Sequence, residues 1–566
     1  MNLTELQEEN ERLRRALAEA LALREAVTSE YEKTLAEKSQ AIASLEHHVK
    51  LLLQRISGSR QERIDPDQLL LFTSDELKEI ADQSDVQPGE DLLDLDEPPG
   101  RRRKRRSRGR AGQLPAHLER TIFRHELSEP ERLCPCCGET RVEIGVESSE
   151  QLELVPARLR IHQHDRVKYA CRHCQEQVVI ADKPPQPIEK GLPGPGLCAH
   201  TVLSKFGDHT PLYRQEDIHS RLGMTIRRST LCGWQATLAS LAGPLVARMK
   251  HLVLQSRVIH TDDTSVKMLQ PGLGTTQTAK FWPYLGDWLH PYAVYDFTLT
   301  RERDGPRNFL GEFTGYLQAD AYSGYDCIYT GDRVREVACW IHARRYWHQA
   351  RDNDLKRATV ALSYIARLAQ VETQLTAAYP PQNLQGLRDF EAVAGGRRKH
   401  AVPILDEFKA WLDTESEDRA VLPKSPIRAA LTYTLNQWDA LRRYTEDGYL
   451  RFDNNVAERL VKYPAIGRKN FLFVGSPRAG RGAATLYSLV SSAKANGVEP
   501  FAWLKALFTE LPYHRTGEAF AQAADQKPVT SLELDHLLPE RWLQAHPGHV
   551  WTIDQVRRAE RRAKRR

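Results

Sequence analysis

Two sets of residues in this chain have the types and spacing of metal chemistry. The first is Cys134-Pro135-Cys136-Cys137-Gly138, followed by Cys171-Arg172-His173-Cys174. Two Cys-x-x-Cys knuckles present four thiolates, which suits tetrahedral zinc. A closed four-thiolate site is structural, because no position is left for a substrate water. The spacing assigns structural Zn²⁺ to Cys134, Cys137, Cys171 and Cys174, with Cys136 and His173 inside the knuckles as rival ligands. The gap of 33 residues between the pairs is long for a zinc ribbon. Apolar alternation at Leu159, Ile161, Val167 and Tyr169 predicts a β-hairpin to fill it.

The second set is acidic. Asp262 and Asp263 follow the apolar run Arg257-Val258-Ile259-His260, and Asp320 follows Tyr316-Leu317-Gln318-Ala319. Strand alternation predicts that Val258, His260 and Asp262 point together and that Asp263 points away. Acids ending neighbouring strands can hold hard Mg²⁺, which prefers oxygen ligands. A third acid is needed, and Glu458, on a helix far along the chain, is the natural candidate. Two cations ~3.5–4 Å apart would bind the attacking and leaving oxygens of a phosphodiester. Acids at strand ends are also common without any metal, so spacing alone leaves both readings open. Asp453 reads as the N-cap of the Glu458 helix, with a ligand role as the alternative. Asp263, Asp296 and Asp326 read as surface acids or acids outside the metal shell.

These groups need a scaffold, and the chain divides into about seven segments. Residues 1–56 lack Gly and Pro and place leucines at helical a/d spacing, which predicts a coiled-coil segment or a lone amphipathic helix. Residues 57–110 are a charged linker ending in Arg-Arg-Arg-Lys-Arg-Arg-Ser-Arg-Gly-Arg, either a solvated spacer or an arm along a DNA backbone. Residues 111–185 hold the knuckles. Residues 186–250 read as helices, with a break at Gly223 and a second helix starting near Thr225. That order resembles a helix-turn-helix, which would put Arg227, Arg228 and Ser229 at the groove-facing end; an ordinary helical hairpin is the alternative. Residues 251–485 alternate strands and helices around a helical insertion at about 346–445. A helical region at 486–545 and a basic tail at 546–566 complete the chain. The fold class is therefore multidomain, α+β and α/β. Further candidate DNA contacts are Arg344 and Arg345, after a strand through Cys339-Trp340, and Lys462, one helical turn beyond Glu458. Arg468 and Lys469 form another basic stretch.

Composition narrows the class. With 566 residues, about three to five domains are expected. No apolar run is long enough to span a bilayer, so no membrane partner is expected. The start, Met-Asn-Leu-Thr-Glu-Leu-Gln-Glu-Glu-Asn, is acidic and is no secretory signal, which predicts a cytoplasmic protein associated with the nucleoid when on DNA. Nine cysteines are too sparse for a disulfide scaffold. The net charge of +5 averages acidic segments against the basic arm and tail.

Several long blocks resemble transposases of the insertion sequence 66 family, bacterial DDE-type enzymes. They include the cysteine region, the run from Leu203 to Trp234, His260-Thr261-Asp262-Asp263-Thr264, Gln318-Ala319-Asp320-Ala321-Tyr322, Cys339-Trp340-Ile341-His342 and Asp453-Asn454-Asn455-Val456-Ala457-Glu458-Arg459. The resemblance implies a ribonuclease H-like catalytic domain in which Asp262, Asp320 and Glu458 are catalytic and hold two Mg²⁺ or Mn²⁺ ions. It implies an enzyme that binds terminal inverted repeats and cuts and joins DNA strands. Its partners would be the element ends and target DNA, a second protomer or higher assembly, and small accessory proteins encoded by the same element. The family usually has Glu where this chain has Asp263, and a Leu-Leu-Pro-Trp block where this chain reads Leu537-Leu538-Pro539-Glu540-Arg541-Trp542, which puts the C-terminal packing in question. Rival readings are a repressor descended from a transposase, a ribonuclease H-like nuclease acting on RNA or DNA junctions, and a zinc unit that docks protein.

Overall fold

Ten residues of β-branched and aromatic character, Thr276–Leu285, form the longest strand and organise the sheet around it. The computed structural model describes residues 158–169, 179–270, 275–331, 333–380 and 389–551. The leucine-periodic N-terminus, the charged linker, the four knuckle cysteines and the basic tail beyond Trp551 lie outside the described residues. The chain divides into two units, Met1–Thr73 and Ser74–Arg566, and the elements below belong to the second.

Two short strands, β1 (Lys168–Tyr169) and β2 (Val179–Ile180), pair antiparallel with Lys168 opposite Ile180. This pair brackets the second cysteine knuckle. The described part of the gap between the knuckles, residues 158–169, carries β1 at its end and no strand over 158–167, and Ile161 is 97% exposed. Tyr169, the last of the alternating residues, lies in β1, whose partner β2 follows the second knuckle, so among the described residues the pairing runs across that knuckle and not within the gap.

The main sheet contains β3 (Val258–Thr261), β4 (Thr264–Leu269), β5 (Thr276–Leu285), β6 (Ala293–Thr298), β7 (Gly315–Gln318), β8 (Val334–Val337) and β9 (Phe473–Val474). The order is β8-β7-β3-β5-β4-β9, with β6 on the other side of β5. β3, β7 and β8 run parallel, whereas β5 runs antiparallel to β3, β4 and β6. β3 and β4 lie in one line along β5: His260 faces Leu285 and Thr264 faces Phe281 in a single continuous register. The interruption falls on Asp262 and Asp263, and that register sets Asp262 opposite Pro283. Tyr295, the β6 partner of Pro283, sends its N–H away from β5 to Ser488 Oγ at 2.8 Å, so the polar edge of Pro283 faces the β3–β4 line. Proline has no N–H to donate there, which leaves the acidic pair outside the ladder.

Helices cover the sheet. α1 (Pro195–Phe206), α2 (Leu212–Arg221) and α3 (Arg228–Val253) precede it. The chain turns between α2 and α3 through Gly223 at φ +90°, a conformation L side chains rarely adopt. Ile226 is buried with Leu212, Leu231 and Trp234, which holds residues 225–227 extended and delays α3 until Arg228, three residues past the expected start. After β6, α4 (Asp304–Leu310) leads to β7. Beyond β8 come α5 (Trp340–Ala350), α6 (Leu355–Ala378), α7 (Phe390–Glu417), α8 (Pro426–Asn436) and α9 (Trp438–Arg442). The side chains of Asp354, Asp389 and Ser425 each accept a first-turn amide, which sets where α6, α7 and α8 begin. The strand expected through Cys339-Trp340 ends at Val337, and Trp340 opens a helix instead. α10 (Asn455–Phe471) and α11 (Pro477–Ala495) return to the sheet. Ser488 and Ser492 of α11 accept the amides of Tyr295 and Ala293, so helix hydroxyls satisfy the outer edge of β6. α12 (Pro500–Glu510), α13 (Glu518–Ala524) and α14 (Pro539–Ala545) follow. Leu537, Leu538 and Trp542 are buried, and Trp503 donates to the Leu537 carbonyl at 3.0 Å, so the departure at Glu540-Arg541 leaves the C-terminal packing intact. Glu540 itself accepts from the Tyr292 hydroxyl.

Candidate active site

In a sheet with parallel strands, the carboxyl ends make a natural crevice. Here the ends of β3, β7 and β8 share one edge, and the chain just past each carries Asp262, Asp320 and Cys339 respectively. Residues 451–454 cross that edge on their way into α10. Gln318 donates to the carbonyls of Arg451 and Asp453 at 2.7 and 3.3 Å, and the Trp340 amide donates to the Phe452 carbonyl at 3.2 Å.

Asn454 is the joint of this arrangement. It is fully buried, and its Nδ2 donates to the Thr261 carbonyl at 2.9 Å. Its Oδ1 lies 3.3 Å from His260 Nδ1, and its own amide donates to Cys339 Sγ at 3.2 Å. Because Nδ2 is the amide donor, Oδ1 accepts from a protonated His260 Nδ1. Burial pushes His260 down to about 3, so the ring stays neutral. One residue, through its side chain and its backbone amide, thus ties together the residue before Asp262, the start of the Glu458 helix and the N-cap of α5. Asp453, expected as the N-cap, lies one residue earlier and accepts the Asn455 amide at 3.0 Å; the capping position is Asn454.

Asp262, Asp263 and Asp320 bring carboxylate oxygens within 4.8 Å of one another. The alternation argument placed Asp263 on the opposite face; with the ladder broken at this point, its carboxylate joins the cluster. Its amide donates to Asp262 Oδ1 at 2.7 Å. Asp263 is nonetheless engaged by cations, Lys280 at 2.5 Å and Arg301 at 2.6 Å. Arg301 also stacks over the Tyr322 ring at 3.8 Å and lies 3.8 Å from Asp320. Glu458 lies on the first turn of α10 and groups with Cys339 and His342, their ligand atoms within 4.8 Å. It is close enough to Asp262 for its charge to act there.

The electrostatics show a site short of positive charge. Asp262 is pushed up to about 8, by burial first and then by Asp320. Asp320 is raised by burial and by Asp263, against the opposing pull of Arg301. Burial raises Glu458, with Arg345 opposing it first and Lys462 after. Asp320 Oδ1 and Glu458 Oε1 are buried without a hydrogen-bond partner. Buried acceptors left unpaired are costly, and an all-oxygen set of crowded carboxylates is what a hard divalent cation requires. These residues therefore fit such a cation.

A pH dependence follows. The Asp262 carboxyl in the folded protein titrates near 8, above its ordinary 3.8. A raised acid favours the folded state fully below the ordinary value, and that contribution is lost as pH rises through the folded one. Without added Mg²⁺, the melting temperature should fall as pH rises from about 4 to about 8. Asp262→Asn should flatten this slope, and Mg²⁺ should raise the melting temperature at pH 8 far more than at pH 5. Thermal denaturation followed by circular dichroism, with and without Mg²⁺, checks all three.

The basic candidates separate by position. Arg227, Arg228 and Ser229 are exposed at the start of α3, where Glu216 of α2 accepts the Arg228 amide at 3.2 Å. Arg344 is half-buried and Arg345 exposed on the first turns of α5, and Lys462 is half-buried one turn past Glu458. Arg468 is engaged within the fold: it donates to Thr264 Oγ1 at 2.9 Å and the Ser265 carbonyl at 2.7 Å, tying α10 to β4. Lys469 is exposed beside it. Sequence reasoning missed Asn454, Gln318 and Arg301. The Asn454-Asn455 doublet was the one local signal, since Asn at a helix start suggests a cap but not a long-range tie.

Comparison with known proteins gives family matches along the chain. The model of the Transposase IS66 family matches residues 190–482, and that of the zinc-finger binding domain of transposase IS66 matches 131–175, a span containing all four knuckle cysteines. The IS66 C-terminal element matches 488–522, and Transposase C of IS166 homeodomain matches 44–122. The uncharacterized protein y4jD of Sinorhizobium fredii (strain NBRC 101917 / NGR234) is 30% identical over 530 residues, covering 90% of this chain and 97% of that one. The protein y4qI of the same organism is 32% identical over 490 residues, covering 84% and 86%. The chain belongs to the IS66 transposase family. No described helix is long and apolar enough to cross a membrane.

Proposed function

We propose that this protein is a DNA transposase that binds the terminal inverted repeats of its element and cuts and rejoins DNA at a single carboxylate site. The observation that carries the reading is the close approach of the half-buried Asp262 and Asp320 at the ends of β3 and β7, with Glu458 of α10 near enough for its charge to act on Asp262, and with Asp320 Oδ1 and Glu458 Oε1 unpartnered. The antiparallel run β3–β4, β5, β6, joined edgewise to parallel β7 and β8, supports a ribonuclease H-like assignment for the sheet.

Asp262, Asp320 and Glu458 would hold two Mg²⁺ or Mn²⁺ ions. Bound there, the ions supply Lewis-acid stabilisation of the attacking and leaving oxygens of the phosphodiester. The protein's own part is positioning. Asn454 and Gln318 hold the three acid-bearing segments in register, so little reorganisation remains when substrate arrives. Asp263 keeps Lys280 and Arg301 at the rim of the site. Arg345 and Lys462, beside Glu458, offer charge to the DNA phosphates, with Arg344 on the same helix. Hydrolysis at the element end frees a 3′-OH, which then attacks a target phosphate. Both steps are phosphoryl transfers by an oxygen nucleophile from water or DNA, so no covalent protein intermediate is assigned.

Cys134, Cys137, Cys171 and Cys174 would hold a structural Zn²⁺ in the zinc-finger span. That unit and the exposed start of α3 would read the repeats, with two protomers holding two ends. Arg227→Ala with Arg228→Ala should weaken repeat binding and lower the slope of log affinity against log salt by about 2, since each lost phosphate contact is worth ~0.9. Mobility-shift titrations at several salt concentrations measure this. Incubating the protein and Mg²⁺ with labelled element ends and plasmid target tests the function. Joining of the labelled 3′ ends to the plasmid is the expected result; nicking of RNA or junctions without joining would overturn it.

A further inference from the structure

The end of α12 and the loop before α14 bring together a second donor set, far in sequence from the carboxylate site. Glu510 closes α12, and His514 follows one turn later in the 3-10 turn Leu511–His514. That spacing puts both on one face. His536 arrives from the turn Asp535–Leu537. Glu510 Oε1 lies 3.7 Å from His514 Nε2 and 3.9 Å from His536 Nε2, and all three ligand atoms fall within 4.8 Å of one another. These separations are too long for hydrogen bonds. They are close to the edge of a zinc tetrahedron, roughly 3.3 Å for metal–ligand bonds of ~2.0–2.1 Å.

A fourth residue orients the set. Glu533 Oε1 lies 3.0 Å from His514 Nδ1, and its Oε2 accepts the Ala519 amide at 3.3 Å. A carboxylate only accepts, so Nδ1 carries the proton and the Nε2 lone pair is turned toward Glu510 and His536. A carboxylate behind a ligating histidine is the usual outer-shell partner of a zinc-bound imidazole. Gly517 makes room for it: a Cβ there would stand 1.9 Å from Glu533 Oε1.

We propose that Glu510, His514 and His536 form a binding site for a borderline transition-metal dication of the Zn²⁺ class, with Glu533 as the positioning residue. Two imidazoles and one carboxylate match that class and leave one coordination position open to solvent. Glu510 and His536 are about half exposed, at 48% and 53%, so the ion has access from solvent. The ion would link the end of α12 to the turn carrying Asp535, whose carboxylate forms the buried pair with Arg248 of α3 at 2.8 Å. It would thereby fasten the C-terminal segment to the body of the fold.

The test compares the full-length chain with His536→Ala and Glu533→Gln after equilibration with Zn²⁺ and removal of free metal. Metal analysis should find one more Zn²⁺ per chain in the parent than in His536→Ala. Zinc held by the cysteine knuckles is common to both and cancels, so this outcome is independent of the transposase reading. Glu533→Gln should retain the site with Zn²⁺ affinity weakened ~10–100-fold. Added Zn²⁺ should raise the melting temperature of the parent more than that of His536→Ala. Equal zinc content and equal zinc-dependent stabilisation in parent and His536→Ala would overturn the site and leave His514 with its contact to Glu533 only.

Discussion

Asp320→Asn is expected to lower strand cleavage and strand transfer by about 10³-fold or more while leaving binding to the element ends unchanged. The amide is nearly the same size as the carboxylate, so the fold around Ala319 and Tyr322 has no steric reason to move. What is lost is one anionic oxygen pair at the point where charge is to be balanced. Removal of a single preorganised electrostatic group in a water-poor site commonly costs ~10²–10³ in rate, and Asp320→Asn would also weaken the hold on the cations. Glu458→Gln should behave the same way, because Glu458 Oε1 is buried and unpartnered as Asp320 Oδ1 is. Removing the cost of a desolvated charge should also make both variants more heat-stable than the parent in the absence of divalent ions, since burial and then Asp263 raise Asp320, and burial raises Glu458. Cleavage of labelled ends in Mg²⁺, mobility shift and metal-free melting give the three readouts. Cleavage at the parental rate in Asp320→Asn would remove Asp320 from the assignment.

The largest stability effect is expected at Arg397, in the first third of α7. Its side chain is fully buried. It makes a two-pronged pair with Glu372 of α6 at 2.7 and 2.8 Å, and its Nη1 donates to the carbonyls of Tyr444, Asp447 and Leu450 at 2.8, 2.9 and 3.0 Å. Those carbonyls belong to the stretch that runs directly into residues 451–454 and α10. Arg397→Met would leave Glu372 and three carbonyls without their donor. Breaking a buried ion pair from one side costs ~3–5 kcal/mol, and the loss should appear as a lower midpoint in denaturant unfolding. Cleavage activity should fall as well, because the freed stretch carries the helix that presents Glu458. Arg397→Lys keeps the charge but not the planar fork, so an intermediate midpoint is expected. An unchanged midpoint in Arg397→Met would show that the helices between β8 and α10 do not restrain the site.

Local pattern was enough to mark the strands before Asp262 and Asp320 and the helix bearing Glu458. The two-residue period of a strand and the 3.6-residue period of a helix are written in neighbouring residues. The same locality explains the misplacements. Cys339-Trp340 reads as strand by residue type, yet Trp340 is fully buried against Phe408, Trp438 and Phe452, contacts that no window of neighbouring residues contains. Asp263 reads as pointing away from Asp262 only while the strand is regular. Pro283, some twenty residues on, removes a ladder donor and breaks that regularity. Asn454 is the clearest case. Its hydrogen bonds reach Thr261 and Cys339 across 193 and 115 positions, and its meaning arises only when β3, α5 and α10 are packed together. Residue type and spacing fixed which side chains could carry charge or bind metal. Tertiary packing decided which of them are buried, which oxygens go unpartnered and which cations, such as Lys280 and Arg301, are already committed to Asp263. The physical reason is that desolvation and pairing depend on every element around a group, whereas periodicity depends only on the element that carries it.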